Sequence, residues 1–147
     1  MSKGSIQLFV EELDFTFTQE NLLISWIQNV VNAEAKELSY LNIILCSDEA
    51  LLKMNIEYLN HDYYTDILTF QYNEDPIEGE LFISLDRVRD NAESHGIPLG
   101  NELNRVIVHG TLHLIGYNDQ TKQDKAEMRI KEDQYLSILK GSLKSSP

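Results

Sequence analysis

Four short stretches of the chain have the hydrophobic patterns of β-strands. Ile6, Leu8 and Val10 recur with a period of two, which is typical of a strand with one buried face. A continuous apolar run over residues 40–46 indicates a buried strand. The polar segment 73–78 separates two further apolar stretches and suits a hairpin connection. The predicted strands therefore cover residues 6–10, 40–46, 67–72 and 79–84.

Longer stretches carry apolar residues at helical spacing. Leu22, Trp26 and Val30 form part of an amphipathic stripe, which predicts a helix with one face in the core. Start signals precede this helix and four others. They are Thr18, Ser47 or Asp48, Ser84 or Asp86, Pro98, and Thr121 with Asp124. The order β-α-β-α-β-β-α-α-α predicts an α+β, or mixed α/β, fold with about five helices packed on a four-stranded sheet.

Length and composition indicate one globular domain. The chain of 147 residues is long enough for a single core, and its 42% hydrophobic content is ordinary. We interpret residues 1–147 as one domain. The single cysteine, Cys46, lies in an apolar run, which predicts a buried, inert thiol in a reducing compartment. No leader-like or membrane-spanning segment is evident, so the sequence predicts a cytoplasmic protein.

The candidate chemistry lies in the sequence H-G-T-L-H-L-I-G-Y-N-D over residues 109–119. His109 and His113 are four residues apart, so both imidazoles project from one face of a helix. Gly116 can adopt the left-handed conformation that ends a helix, and the returning chain can bring Asp119 to the imidazoles. Two nitrogen ligands, one oxygen ligand and an open fourth position are typical of a catalytic zinc site.

Two other interpretations of the histidine pair are weaker. Such a pair is often only a polar helix face, but here apolar residues such as Val108 and Leu112 surround it, where an unpartnered histidine would be costly to bury. Zinc peptidases share the histidine spacing but carry Glu after the first histidine as general base. Gly110 stands at that position and cannot transfer a proton, which disfavours a peptidase.

This segment resembles the H-G-x-L-H-L-x-G-Y-D-H signature of the YbeY family, bacterial metal-dependent endoribonucleases. Residues 54–70 resemble the family's L-N-x-x-Y-R-x-x-D-x-x-T-D-V-L-S-F, and residues 79–84 resemble its G-D-I-x-I-S. The resemblance implies a small mixed sheet, a metal helix crossing behind it and a cleft between them. It also implies cleavage of single-stranded RNA in ribosomal RNA maturation and ribosome quality control. One Zn²⁺ per chain and partners on the small ribosomal subunit, such as ribosomal proteins, are further implications.

The sequence departs from the family pattern at two places that bear on function. Asp119 replaces the family's third histidine, and Asn118 replaces the usual aspartate before it. A carboxylate is an acceptable zinc ligand, but it also suits manganese and magnesium, so another divalent metal is an alternative. Leu59 occupies the position of a family arginine thought to contact RNA, and leucine cannot pair with a phosphate.

The general base is less clearly marked than the metal ligands. Asp66 precedes a strand expected to border the cleft, so it is the candidate for a general base or a positioning residue. A carboxylate that only braces the loop is an equal alternative. The polar surroundings of His61 and His95 predict surface residues rather than ligands.

The charge of the chain argues against the interpretation as an RNA-binding protein. Twelve Lys and Arg stand against twenty-four Asp and Glu, giving a formal net charge of −12, whereas nucleic-acid binding usually draws on a basic surface. A cleft can still be locally positive. Candidates for such a patch are Arg87, Arg89, Arg105, Lys122 and Lys125. The alternative function is a non-catalytic, metal-stabilised ribosome assembly factor that binds basic ribosomal proteins. DNA and membranes are not expected partners.

Overall fold

The computed structural model describes residues 4–145, which form one four-stranded sheet and five helices. The strands are β1 (Ser5–Val10), β2 (Leu38–Cys46), β3 (Ile67–Glu74) and β4 (Ile77–Ser84). The helices are α1 (Glu20–Ala33), α2 (Asp48–Leu59), α3 (Leu85–His95), α4 (Leu99–Ile115) and α5 (Lys122–Ser145). The predicted order of elements and the predicted mixed α/β class are confirmed.

The sheet is mixed, with strand order β1-β2-β4-β3. β1 pairs with β2 and β2 pairs with β4 in parallel, whereas β3 and β4 form an antiparallel hairpin. Ile43 of β2 is in register with Leu8 of β1 and Leu81 of β4, so the three side chains lie on one face of the sheet. This face carries the main core.

The two faces of the sheet are covered unequally. α4 packs on the main-core face, where Ile43, Leu81 and Leu112 are fully buried. On the other face, Leu51 of α2 packs with Cys46 and Leu68 in a smaller cluster. Burial, together with the nearby carboxylates of Glu11, Asp86 and Asp48, raises the pKa of the Cys46 thiol to about 11, in line with the predicted inert thiol. None of the described helices has both the length and the apolar composition that crossing a membrane requires.

Most helix starts follow the predicted caps. The Ser47 and Ser84 hydroxyls accept hydrogen bonds from the backbone N–H groups of Ala50 and Arg87. Thr18 was the wrong cap for α1. Gln19 adopts a left-handed conformation (φ 53°) and immediately precedes the helix, so the Thr18 hydroxyl is one residue too early to cap it.

The hairpin connection is shorter than residues 73–78. Asn73 pairs with Glu78 and Glu74 pairs with Ile77, so the β3–β4 ladder extends beyond the apolar stretches into the polar segment. Only Asp75 and Pro76, joined by a cis peptide bond, remain between the strands.

Candidate metal centre

Helix α4 has one face against the sheet and the opposite face toward α5. On the sheet side, a Cβ added at Gly110 would lie 2.7 Å from Ile67 Cδ1 and 2.8 Å from Leu81 Cδ2, so the helix approaches closely there. On the other side, the His109 and His113 side chains are about one-quarter exposed. The helix therefore presents both imidazoles at the surface while its glycine packs on the sheet.

Gly116 ends α4 and redirects the chain, as predicted. It has φ 129° and ψ 3°, a positive φ that residues with a Cβ rarely adopt. Its N–H donates to the carbonyl groups of Leu112 and His113, which closes the last turn. Three residues later the chain places Asp119 beside the two histidines.

Three ligand atoms converge at this point. His109 Nε2 and His113 Nε2 are 3.1 Å apart, and Asp119 Oδ2 lies 3.3 Å from each of them. Ligand atoms of a tetrahedral ion with bonds of about 2.1 Å lie about 3.4 Å from one another. The three atoms therefore have the mutual spacing that a single zinc-sized ion requires.

Hydrogen bonding to the outer ring nitrogens determines which atoms of the histidines carry protons. His113 Nδ1 lies 2.9 Å from the carbonyl oxygen of Tyr117, which can only accept, so Nδ1 donates. His109 Nδ1 lies 2.7 Å from Glu132 Oε2 and donates to that carboxylate. In the neutral rings both Nε2 atoms are then unprotonated, and their lone pairs meet the Asp119 carboxylate. Three electron-rich atoms in such close proximity fit a bound cation.

Glu132 is a functional residue that the sequence interpretation missed. It lies on α5, is only 5% exposed, and uses both oxygens: Oε2 accepts from His109, and Oε1 accepts from Arg105 Nη1 at 2.7 Å. Burial raises the pKa of Glu132, but His109 and Arg105 outweigh burial and lower it below its ordinary value. The available signal was an acidic residue one helical turn after the apolar Met128, at the spacing that places both on one face of a helix.

The contact with Glu132 also raises the pKa of His109. Burial disfavours the imidazolium, but the hydrogen bond and charge of Glu132 outweigh burial, and Asp119 and Asp66 act in the same direction. Glu132 thus increases the electron density of the His109 ring and fixes its orientation.

We expect Glu132→Gln to weaken divalent-metal binding about 10-fold or more, because loss of an outer carboxylate partner of a metal-binding histidine typically costs about 10- to 100-fold. Titration against a chelating dye measures the affinity. Asp133→Asn is the matched control, since Asp133 also pairs with Arg105 at 2.7 Å but is exposed and does not contact His109. Equal affinities in the two variants would contradict the assigned role of Glu132.

The loop that carries Asp119 is held by Glu34, a partly buried acidic residue directly after α1. The Glu34 carboxylate accepts from Tyr117 Oη at 2.6 Å, from Lys131 Nζ at 3.2 Å and from Tyr135 Oη. The pKa of Glu34 is lowered because these hydrogen bonds and the Lys131 charge outweigh burial, which raises it. The Tyr117 carbonyl also accepts from His113, so Tyr117 is fixed at both its backbone and its side chain.

The metal centre opens into a cleft between α4 and α5. Its lining includes His109, Asp119 and Glu132 together with the predicted base Asp66. The resemblance implied a cleft between the sheet and the metal helix. That position is wrong, because α4 packs directly on β3 and β4 through Gly110 and its neighbours.

Asp66 lies in the cleft with a second carboxylate, Glu102. Burial raises the pKa of Asp66, although His109 and the backbone N–H groups of Asp66 and Ile67 act in the opposite direction. Burial likewise raises the pKa of Glu102. The cleft lining does not include Leu59, His61 or His95 among the described residues.

The residues of the predicted basic patch do not all lie together in the structure. Arg105 and Lys125 line the cleft, and so does Arg129, which the sequence interpretation missed. Arg87 instead pairs with Asp48 at 2.7 Å, and Arg89 and Lys122 do not line the cleft. Arg129 follows Lys125 by one helical turn, and this spacing was the signal that could have found it.

Comparison with known proteins gives consistent matches. A family model described as endoribonuclease YbeY matches residues 9–140. A relative named endoribonuclease YbeY from Amoebophilus asiaticus is 46% identical over 138 residues, covering 92% of this chain and 94% of the relative. Another of that name, from Cytophaga hutchinsonii, is 44% identical over 142 residues, covering 95% and 99%. The solution structure of TM1509 from Thermotoga maritima matches with a TM-score of 0.69 at 27% identity, covering 97% of this chain and 93% of that one.

Proposed function

Because the chain belongs to the YbeY family of endoribonucleases, we propose that it hydrolyses single-stranded RNA in the cleft between α4 and α5. The observation that carries this proposal is the convergence of His109 Nε2, His113 Nε2 and Asp119 Oδ2, since His109 and Asp119 line that cleft. These three residues are the proposed metal ligands.

Each residue of the centre has a distinct task in this proposal. Glu132 and the Tyr117 carbonyl hold the outer nitrogens of the two imidazoles, so that both Nε2 lone pairs face the same point. A divalent ion held there supplies a nucleophile at neutral pH and offsets negative charge on the phosphoryl group.

Asp66 is the proposed general base or positioning residue. It lies in the same cleft as His109, and its raised pKa brings the carboxyl closer to the neutral range in which proton transfer is efficient. Its carboxylate would accept the proton released as the phosphodiester is attacked, and the loop-bracing alternative predicts no such step.

We propose Zn²⁺, one ion per chain, as the metal. Two imidazole nitrogens, one carboxylate oxygen and a free fourth position form a typical catalytic zinc set. The Asp119 oxygen makes manganese the main competitor, since carboxylates suit harder ions than imidazoles do.

We further propose that the biological substrate is ribosomal RNA and that the protein acts in the cytoplasm, in rRNA maturation and ribosome quality control. An acidic protein with a formal charge of −12 is suited to contact basic ribosomal proteins of the small subunit. In this proposal residues 1–147 act as one catalytic domain.

The test is cleavage of a fluorescent single-stranded RNA by protein stripped of metal and reloaded with Zn²⁺ or Mn²⁺. We expect cleavage only after reloading, and little cleavage of the same RNA in a duplex. Absence of cleavage in every reloaded sample, with metal bound and the fold intact, would support the assembly-factor alternative instead.

Asp66→Asn extends the same assay to the proposed base. Loss of a general base typically slows the chemical step about 10²- to 10⁴-fold, so kcat should fall while metal content stays the same. An unchanged kcat would assign Asp66 to loop bracing.

A further inference from the structure

Two cationic side chains of α5 lie in the cleft without an ion pair or hydrogen bond to another side chain that the structure describes. Lys125 and Arg129 are four residues apart, so they share one face of the helix, and both line the cleft with His109 and Asp119. Neither side chain forms an ion pair or hydrogen bond with any other residue between 4 and 145 that the structure describes.

Other basic side chains near the site are already paired. Arg105 binds both Glu132 and Asp133, each at 2.7 Å, and Lys131 binds Glu34 at 3.2 Å. Acidic residues outnumber basic ones two to one in this chain, so carboxylate partners are plentiful. Lys125 and Arg129 nevertheless remain available to a ligand.

The charge balance of the cleft differs from that of the whole chain. Three cationic and four acidic side chains line it, and these are Arg105, Lys125, Arg129, Asp66, Glu102, Asp119 and Glu132. A divalent ion at the metal centre therefore makes the formal charge of the cleft positive, although the chain carries −12. An anionic strand is attracted to this cleft and repelled by most of the remaining surface.

We propose that Lys125 and Arg129 form a phosphate-binding subsite that holds the RNA backbone beside the bond to be cleaved. This inference rests on the proposed function and adds how the substrate is bound. Arg129 can bind a phosphate through two parallel N–H groups, whereas Lys125 acts as a point charge. Both recognise the backbone and not the bases, so the subsite favours no particular RNA sequence.

The test compares a double variant, Lys125→Gln with Arg129→Gln, with a control that removes the same charge elsewhere. The control is Lys53→Gln with Arg89→Gln, two exposed positions on α2 and α3 outside the cleft. Gln keeps helix propensity, and thermal melting and metal content check that both double variants are intact.

We expect the cleft variant to raise KM for single-stranded RNA about tenfold near physiological salt while kcat changes little. The plot of log(kcat/KM) against log salt concentration should become shallower by about 1.4, because each lost single-strand phosphate contact contributes about 0.7. The control should retain the wild-type slope. Equal effects of the two double variants, or no effect of either, would overturn the subsite.

A binding measurement separates this inference from the proposed function. Fluorescence anisotropy of metal-loaded protein with a labelled phosphorothioate single-stranded RNA, which keeps the backbone charge but resists hydrolysis, reports affinity alone. If the wild type cleaves RNA but the cleft variant matches it in affinity, KM and salt slope, only the subsite is rejected. If reloaded wild type cuts nothing, yet the cleft variant alone loses affinity and salt dependence, the subsite stands and the nuclease proposal fails.

Discussion

Replacing His113 with alanine is expected to leave a folded protein that has lost its metal and its RNA cleavage. The side chain is about one-quarter exposed, so its removal creates no closed cavity in the core. It does remove one of the three proposed protein ligands. The loss of metal affinity should therefore exceed the loss of about 10- to 100-fold that is typical when a hydrogen-bond partner of a ligand is removed. Elemental analysis after gel filtration measures the metal content, and the RNA assay measures the activity.

His61→Ala is the control for this experiment. It also removes one imidazole, but from an exposed loop outside the cleft, where His61 stacks on Tyr63. We expect this variant to keep both metal and activity. If folded His113→Ala protein retained stoichiometric metal, the proposed ligand set would be wrong.

Gly110→Glu is expected to unfold the protein and not to convert the centre into a peptidase-like site. Any Cβ at this position would be less than 3 Å from Ile67 and Leu81 side-chain atoms, and the carboxylate would enter the contact between α4 and the sheet. Burying an unpaired charge costs several kcal/mol even after relaxation, and overpacking adds about 1–3 kcal/mol. Domains have a free energy of unfolding of only about 5–15 kcal/mol, so the Gly110→Glu substitution is expected to remove most of the stability of this protein.

Gly100→Glu provides the matched control on the same helix. No heavy atom lies within 4 Å of a Cβ built at Gly100, and the residue is in the first turn of α4, where an acidic side chain is favourable. Urea denaturation should give a near wild-type midpoint for this variant and a cooperative transition lost or strongly shifted for Gly110→Glu. Similar midpoints would mean that α4 can move away from the sheet.

Local signals in the sequence predicted the elements better than their pairing. The Ser47, Ser84 and Thr121 caps were predictable because each hydroxyl bonds a backbone N–H group three residues away. The prediction that Thr18 caps α1 was wrong because the sequence pattern does not indicate the left-handed conformation of Gln19. The parallel pairing of β1 and β4 with β2 depends on residues more than 30 positions apart, which hydrophobic periodicity does not encode.

The centre itself was predictable because it is local, and its surroundings were not. His109, His113 and Asp119 fall within eleven residues, and the helix repeat with the Gly116 turn brings them together. Their role as ligands stays a prediction. Glu132 and Arg129 reach the cleft only through the angle at which α5 packs on α4, which the sequence does not specify. The expected position of the cleft was wrong for the same reason, because the cleft is formed where α5 packs on α4.

The centre spans three successive segments of the chain, and this gives metal supply a second effect. His109 and His113 lie on α4, Asp119 lies in the following loop, and Glu132 braces His109 from α5. An ion that binds only this folded arrangement adds its binding free energy to stability, about 4 kcal/mol when the free ion is at 1,000 times its Kd. In metal-starved cells α5 would open more often and expose cleavage sites to proteases. Scarcity of the ion would thus reduce the number of protein molecules as well as the activity of each one.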